Sequence, residues 1–260
     1  MTEERRSLEF EIEVAGTPEE VWRAIATGPG ISSWYVPHEV EERVDGSATA
    51  RFGEGDEMMV RGRVVAWEPP NRVVFDGGPD DDGLAFEWLV QAKDGGTCIV
   101  RLVNTGFATG QDWDDHYNGM AEGWLIFLLN LRLHLEHFPG QTATASLPMV
   151  MAHGDRDEIW NRLIDALGIA RDPELGERLA LDGDGARLEG AVVDATPHRI
   201  TLLVDQPAPG VAFIASEGMG DQFSASIWSY LYGDSGAAAA ARDAPRWQSW
   251  LEKVTIADPE

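Results

Sequence analysis

The 260-residue sequence predicts an α+β protein of two tandem units, each an antiparallel sheet closed by a long C-terminal helix. Three observations carry this. Residues 8–105 contain short alternating apolar runs separated by turn sequences. From Trp113 to Leu135 the apolar period changes from two to about 3.6, the period of an amphipathic helix. Near residue 157 the same signposts begin again.

Leu8, Phe10, Ile12 and Val14 alternate with Glu9, Glu11 and Glu13, the pattern of a half-buried strand. Thr17-Pro18-Glu19-Glu20 follows, with a hydroxyl for the N-cap, proline for the first turn and Glu20 at the capping-box position. Val21, Trp22, Ile25 and Ala26 give that helix one apolar stripe, and Gly28-Pro29-Gly30 ends it. A short apolar piece with Trp34 and Tyr35 comes next. Strands are predicted at 39–44, 48–52, 58–68, 72–76, 84–92 and 97–105. Pro69-Pro70-Asn71 and Asp94-Gly95-Gly96 are tight-turn sequences, so neighbouring strands pair antiparallel. Residues 77–83 read as an acidic loop. The long helix carries Asp112, Asp114 and Asp115 in its first turn, where the helix dipole favours anions, and stops at Pro139-Gly140.

The first unit is therefore assigned to residues 1–140 and the second to 141–260, with the small polar run 141–146 as a linker. Asp157-Glu158-Ile159-Trp160 repeats Glu19-Glu20-Val21-Trp22. Gly190-Ala191-Val192-Val193 running to Arg199-Ile200 repeats Gly62-Arg63-Val64-Val65 running to Arg72-Val73, one residue shorter at the turn. Later strands are expected at 211–216 and 223–231 and a closing helix at 237–254, with no clear counterparts of the strands that follow the first helix in unit one. Trp160, Phe213, Trp228, Tyr230 and Trp247 are the expected large side chains of this second core.

Composition excludes several classes. The formal charge of −25 repels phosphate backbones and anionic lipid, so nucleic acid and membrane are not expected partners. Its longest apolar stretch, residues 124–130, is far below the ~20 residues that span a bilayer, and the charged N-terminus is not a signal peptide. Cys98 is the only cysteine, so no intrachain disulfide forms and a cytoplasmic location is expected. It is expected to be an inert strand thiol. His134 and His137 lie three apart on the helix without a further ligand, so no metal is expected, and no cofactor either. No G-x-S-x-G, P-loop or G-x-G-x-x-G occurs, and no nucleophile–base–orienter set stands out.

The ordered signposts resemble the START-like, or SRPBCC, superfamily in its branch of heat-shock-protein ATPase activator homologues. The resemblance rests on Thr17-Pro18-Glu19-Glu20-Val21-Trp22, Trp34, Gly62 to Val73, Gly96-Thr97, Asn104-Thr105-Gly106-Phe107 and Gly123-Trp124 with Leu128, Leu131 and Leu135. It covers nearly all of residues 7–138 and only loosely the second unit. It implies a helix-grip fold, with a curved sheet wrapped around the long helix and a cavity between them. Relatives include lipid and hormone binders, polyketide cyclases and aromatases, and co-chaperone domains, so the fold alone does not choose a function.

Within that fold the helix presents Trp113, His116, Tyr117, Met120, Trp124 and Phe127. The facing strands present Phe86 and Trp88, with Val100, Leu102 and Asn104 beside them, and Trp34 and Tyr35 are placed to close the space as a lid. Apolar walls with few polar groups describe a small-molecule pocket of ~300–1,000 Å³. The alternative is that these rings fill a solid core. Asn104, an amide on an apolar strand face, needs hydrogen-bond partners that a ligand oxygen or nearby backbone can supply. His116 is a candidate acid or base, or a solvated surface residue. The first expectation is a binder of a small hydrophobic molecule. The others are a cyclase- or aromatase-type enzyme using His116, Tyr117 or Asn104, and a co-chaperone-like protein working through its surface. A protein partner or homodimer is compatible with each.

Overall fold

The computed structural model describes residues 6–53, 55–78, 84–107, 111–219 and 222–255; for residues 111–116, 118, 219 and 222 it describes the backbone only. Its contacts divide the chain into residues 1–142 and 143–260. None of its described helices is long and apolar enough to cross a membrane.

In the first unit β1 (Arg6–Ala15) leads through α1 (Pro18–Ala26) and α2 (Gly28–Ser32) to β2 (His38–Val40) and β3 (Ser47–Arg51). Four longer strands follow, β4 (Met59–Glu68), β5 (Arg72–Asp76), β6 (Ala85–Lys93) and β7 (Thr97–Phe107), before α3 (Gln111–His137). The sheet is antiparallel in the order β1-β7-β6-β5-β4-β3-β2. Local chemistry explains the elements. Thr17 and Glu20 form a reciprocal capping box at 2.8 and 3.3 Å, which starts α1 against the preceding extended chain. The polar side of β1 pairs Glu9 with Arg101 and Glu13 with Lys93, exposed contacts that contribute little stability but keep that face in water. The opposite side buries Leu8 and Val14. The strand expected at 39–44 ends at Val40, because Glu41 to Gly46 closes a tight loop with Asp45 at φ 59°. Helix α3, about 40 Å long at 1.5 Å per residue, packs on β1.

The second unit contains β8 (Ala143–Ser146), β9 (Met149–His153), α4 (Arg156–Ala166), β10 (Arg178–Gly183), β11 (Ala186–Thr196), β12 (Arg199–Gln206), β13 (Gly210–Met219), β14 (Gln222–Tyr232) and α5 (Gly233–Thr255). Its sheet runs β10-β11-β12-β13-β14, with β8 and β9 both on β14. Residues 143–146 are therefore a strand and not part of a linker. Small polar residues hid it: β8 and β9 are two halves of one edge, interrupted at Leu147-Pro148, where proline has no N–H for a ladder. β10 supplies a first-helix follower that the sequence did not reveal, while no described strand corresponds to β2.

The repeat is visible in backbone detail. β4 and β5 slip register between Val64 and Ala66, and β11 and β12 slip between Val192 and Asp194. One extra residue, Val65 or Val193, bulges at the same place in each hairpin, bending the strand. Three residues earlier each unit has a glycine against the neighbouring strand. A Cβ on Gly62 would lie 2.4 Å from the Asp76 carbonyl oxygen, and one on Gly190 2.3 Å from that of Leu203. No larger residue fits there.

Candidate functional site

The first unit holds a cavity of about 410 Å³ between the sheet and the middle of α3. Its size falls in the ~300–1,000 Å³ range of small-molecule sites. Alternation along the strands builds its walls: Ala48, Ala50 and Phe52 from the β3 run, Val60 and Gly62 from β4, Phe75 from β5, and Phe86 and Trp88 from β6. Met120, Trp124 and Phe127 descend from α3 at helical spacing. Ile25, Ile31, Trp34, Tyr35 and His38 close one end. Val60 is 55% exposed although it lines the cavity, so β4 borders its opening, where Arg61 is exposed and Gly123 half-buried.

Aromatic edges hold the walls. Trp124 meets Trp88 edge-on at 5.6 Å and stacks with Tyr35 at 5.3 Å. Tyr35 also meets Phe127 at 4.3 Å and Phe52 at 5.9 Å, while Trp34 meets Trp88 at 5.6 Å. Trp34 is pinned twice: its indole N–H donates to the Ala24 carbonyl, and its own carbonyl accepts from Asn130 Nδ2, both at 2.8 Å. It is a fixed end wall and not a movable lid.

Of the residues read from sequence as the pocket, Trp34, Tyr35, Phe86, Trp88, Met120, Trp124 and Phe127 come together around the cavity. Val100, Leu102 and Asn104 do not line it. They share the inward face with Val90, Trp88 and Phe86, which stand directly opposite them, but β7 lies between β6 and β1, on the side of the sheet where α3 packs. Alternation identified the face and could not say where helix and sheet part. Asn104 is fully buried, its Nδ2 donating to the Ala85 carbonyl at 3.1 Å and its Oδ1 without a partner among the described residues. Tyr117 also stands outside the cavity: its hydroxyl donates to the Ser7 carbonyl at 3.1 Å and its ring meets Phe107 at 5.2 Å, tying α3 to the sheet. The side chains of Trp113 and His116 lie outside the described residues.

Sequence reasoning missed His38, Phe52, Phe75, Arg61 and Asp76, which also line the cavity. Phe52 was readable as the next inward position after Ala48 and Ala50. His38, beside Pro37 at a strand start, gave no signal. Its Nδ1 lies 2.8 Å from the Val36 carbonyl, which can only accept, so Nδ1 carries the proton. Burial lowers its pKa to about 4, which keeps the ring neutral at pH 7 with a free lone pair on Nε2. Burial pushes the Tyr35 phenol up, so it stays protonated. Asp76 is gripped by Arg63 at 3.0 and 3.2 Å and takes the Gly78 N–H, and these bonds hold its carboxyl below the usual range. Cys98 is buried, with its thiol pKa raised mainly by desolvation. Groups of three or more His, Cys, Asp or Glu able to hold a metal are absent among the described residues.

Residues 15–136 match the family model described as activator of Hsp90 ATPase homolog 1-like protein. No curated protein matches the sequence. Among solved structures, a Mesorhizobium loti protein is 20% identical with a TM-score of 0.43, over 51% of this chain and 98% of its own. The Aha1 dimer from Colwellia psychrerythraea gives 20% and 0.43 over 51% and 97%. The di-domain ARO/CYC BexL from the BE-7585A biosynthetic pathway is 19% identical with a TM-score of 0.43, and spans 98% of this chain and 100% of its own.

Proposed function

We propose, from the match of residues 15–136 to the activator of Hsp90 ATPase homolog 1-like family model and from the cavity, that the first unit is a receptor for a small, flat, hydrophobic molecule. The observation that carries this is the 410 Å³ space walled by Trp34, Tyr35, Phe86, Trp88, Trp124 and Phe127. A protein acting only through its surface has no use for such a space: each lining atom that faces a void forgoes dispersion contact. Binding is favoured over cyclase-type turnover because the lining is mostly aromatic and aliphatic, and its few polar groups are held by the protein itself: His38 Nδ1 donates to the Val36 carbonyl, and Asp76 is engaged by Arg63. Enclosing one ring of ~100 Å² stabilises a complex by roughly 2–3 kcal/mol before ordering costs. The aromatic walls also favour offset and edge-on contacts with a planar guest.

Calorimetric titration with 2-methoxynaphthalene tests this. Saturable binding is expected, with affinity at least tenfold weaker in Trp88→Ala and in Trp124→Ala. No binding of either 2-methoxynaphthalene or 2-naphthol, or equal affinity in both variants and the parent protein, overturns the assignment.

A further inference from the structure

Resting on that reading of the cavity, we propose that the bound molecule carries a hydroxyl group, and that His38 accepts its hydrogen bond through Nε2. The walls are apolar except for a few groups, and three of these gather around Tyr35. The Tyr35 ring stacks on Trp124 at 5.3 Å and lies 5.4 Å from the His38 ring. His38 Nδ1 is committed to the Val36 carbonyl at 2.8 Å, and its backbone N–H donates to Ser32 Oγ at 2.8 Å. The imidazole is thus oriented and its tautomer set, leaving Nε2 as an acceptor with no partner among the described residues. Trp124 Nε1 is a buried donor likewise without a partner among the described residues. The phenol of Tyr35, which also lines the cavity, donates to none of them.

An unmet acceptor and the phenol of a ring whose centroid is 5.4 Å away are the complement of a hydroxyl. Its proton suits Nε2, and its oxygen lone pairs suit the Tyr35 phenol. An ether or carbonyl oxygen answers the donors but leaves Nε2 unpaired, and a site built to pair with a hydroxyl rejects the analogue lacking it because its own polar group stays unsatisfied. The ligand class is therefore a hydroxylated aromatic of phenol type.

Two probes of nearly equal shape decide it: 2-naphthol, which donates, and 2-methoxynaphthalene, which cannot. The parent protein is expected to bind 2-naphthol at least tenfold more tightly. His38→Asn preserves a short amide donor for Val36 but has no atom at the Nε2 position, and in it the preference should fall to within twofold. If the parent protein binds both probes equally, or if the preference survives in His38→Asn, the role of His38 is wrong while the cavity stands. If neither probe binds, the cavity reading fails with it. A His38→Asn protein that does not fold, by far-UV circular dichroism, leaves the parent protein's ratio to decide.

Discussion

One strand pattern borders a cavity in the first unit and carries larger side chains at the equivalent places in the second, and a few residues make the difference. Aligning the units through their bulges makes Gly62 equivalent to Gly190. Across the sheet, Ala48 stands opposite Gly62 and Ala50 opposite Val60; Leu179 stands opposite Gly190 and Leu181 opposite Leu188. Where the first unit has Ala50 and Val60, the second has two leucines, each 2% exposed. Trp247 of α5 completes the filling. It lies so close over Gly183 that a Cβ there would sit 2.2 Å from its Cζ3. Leu181, Leu188, Trp160, Leu163, Trp247 and Leu251 belong to one continuous core. The space a duplicated fold keeps depends on side-chain volume at positions the backbone leaves open.

Four experiments break or sharpen that contrast. The largest effect belongs to Trp247→Ala, which should destabilise the second unit by about 3–5 kcal/mol, since it empties a packed core. Hydrogen exchange followed by mass spectrometry should show the loss in β11–β12 peptides and spare β4–β5, and an effect on both hairpins alike would show that the units do not fold separately. Leu181→Ala should cost about 2–5 kcal/mol and open a void where the first unit has one. If it leaves the denaturation midpoint unchanged, the second core is not filled as described.

The third is a pH effect in the first unit. His38 is half-buried and His134 buried, and desolvation lowers each to about 4 from an ordinary 6.5. In the unfolded chain they take up protons below about pH 6.5, while in the folded unit they do so only near pH 4. Stability therefore falls as pH drops through that window, because the unfolded state binds more protons. A His134→Leu variant should show a shallower decline of thermal midpoint between pH 6.5 and 4 than the parent protein; an identical slope would remove His134 from the account. The smallest stability effect is expected from Ala50→Leu. Filling existing space, it should leave the first unit unchanged or more stable by about 0.5–2 kcal/mol, yet weaken 2-methoxynaphthalene binding at least tenfold. Full retention of binding would place the guest elsewhere.

Much of this was legible beforehand. Period two gave the strands, period 3.6 gave α3, and Thr17 with Glu20 marked α1, since each pattern follows from local geometry. The inward face of β6 and the aromatic stripe of α3 were equally readable. The reading failed where distance mattered. Val100 and Leu102 share the face of Trp88 but lie on β7, beyond the wall of the cavity, and β8 was hidden in a run of alanines and threonines whose strand character comes only from pairing with β14. His38 was invisible because its chemistry comes from a backbone carbonyl two residues away and from burial by the surrounding rings.

By itself, then, the sequence determined the order of elements in the first unit, the repeat, the acidic surface and an aromatic helix facing an apolar strand face. Tertiary structure alone decided that the rings of the first unit surround space, and which polar groups are left to meet a guest. Periodicity records which way a side chain points; whether two facing surfaces touch depends on their separation and on the summed volume between them, which no single segment carries.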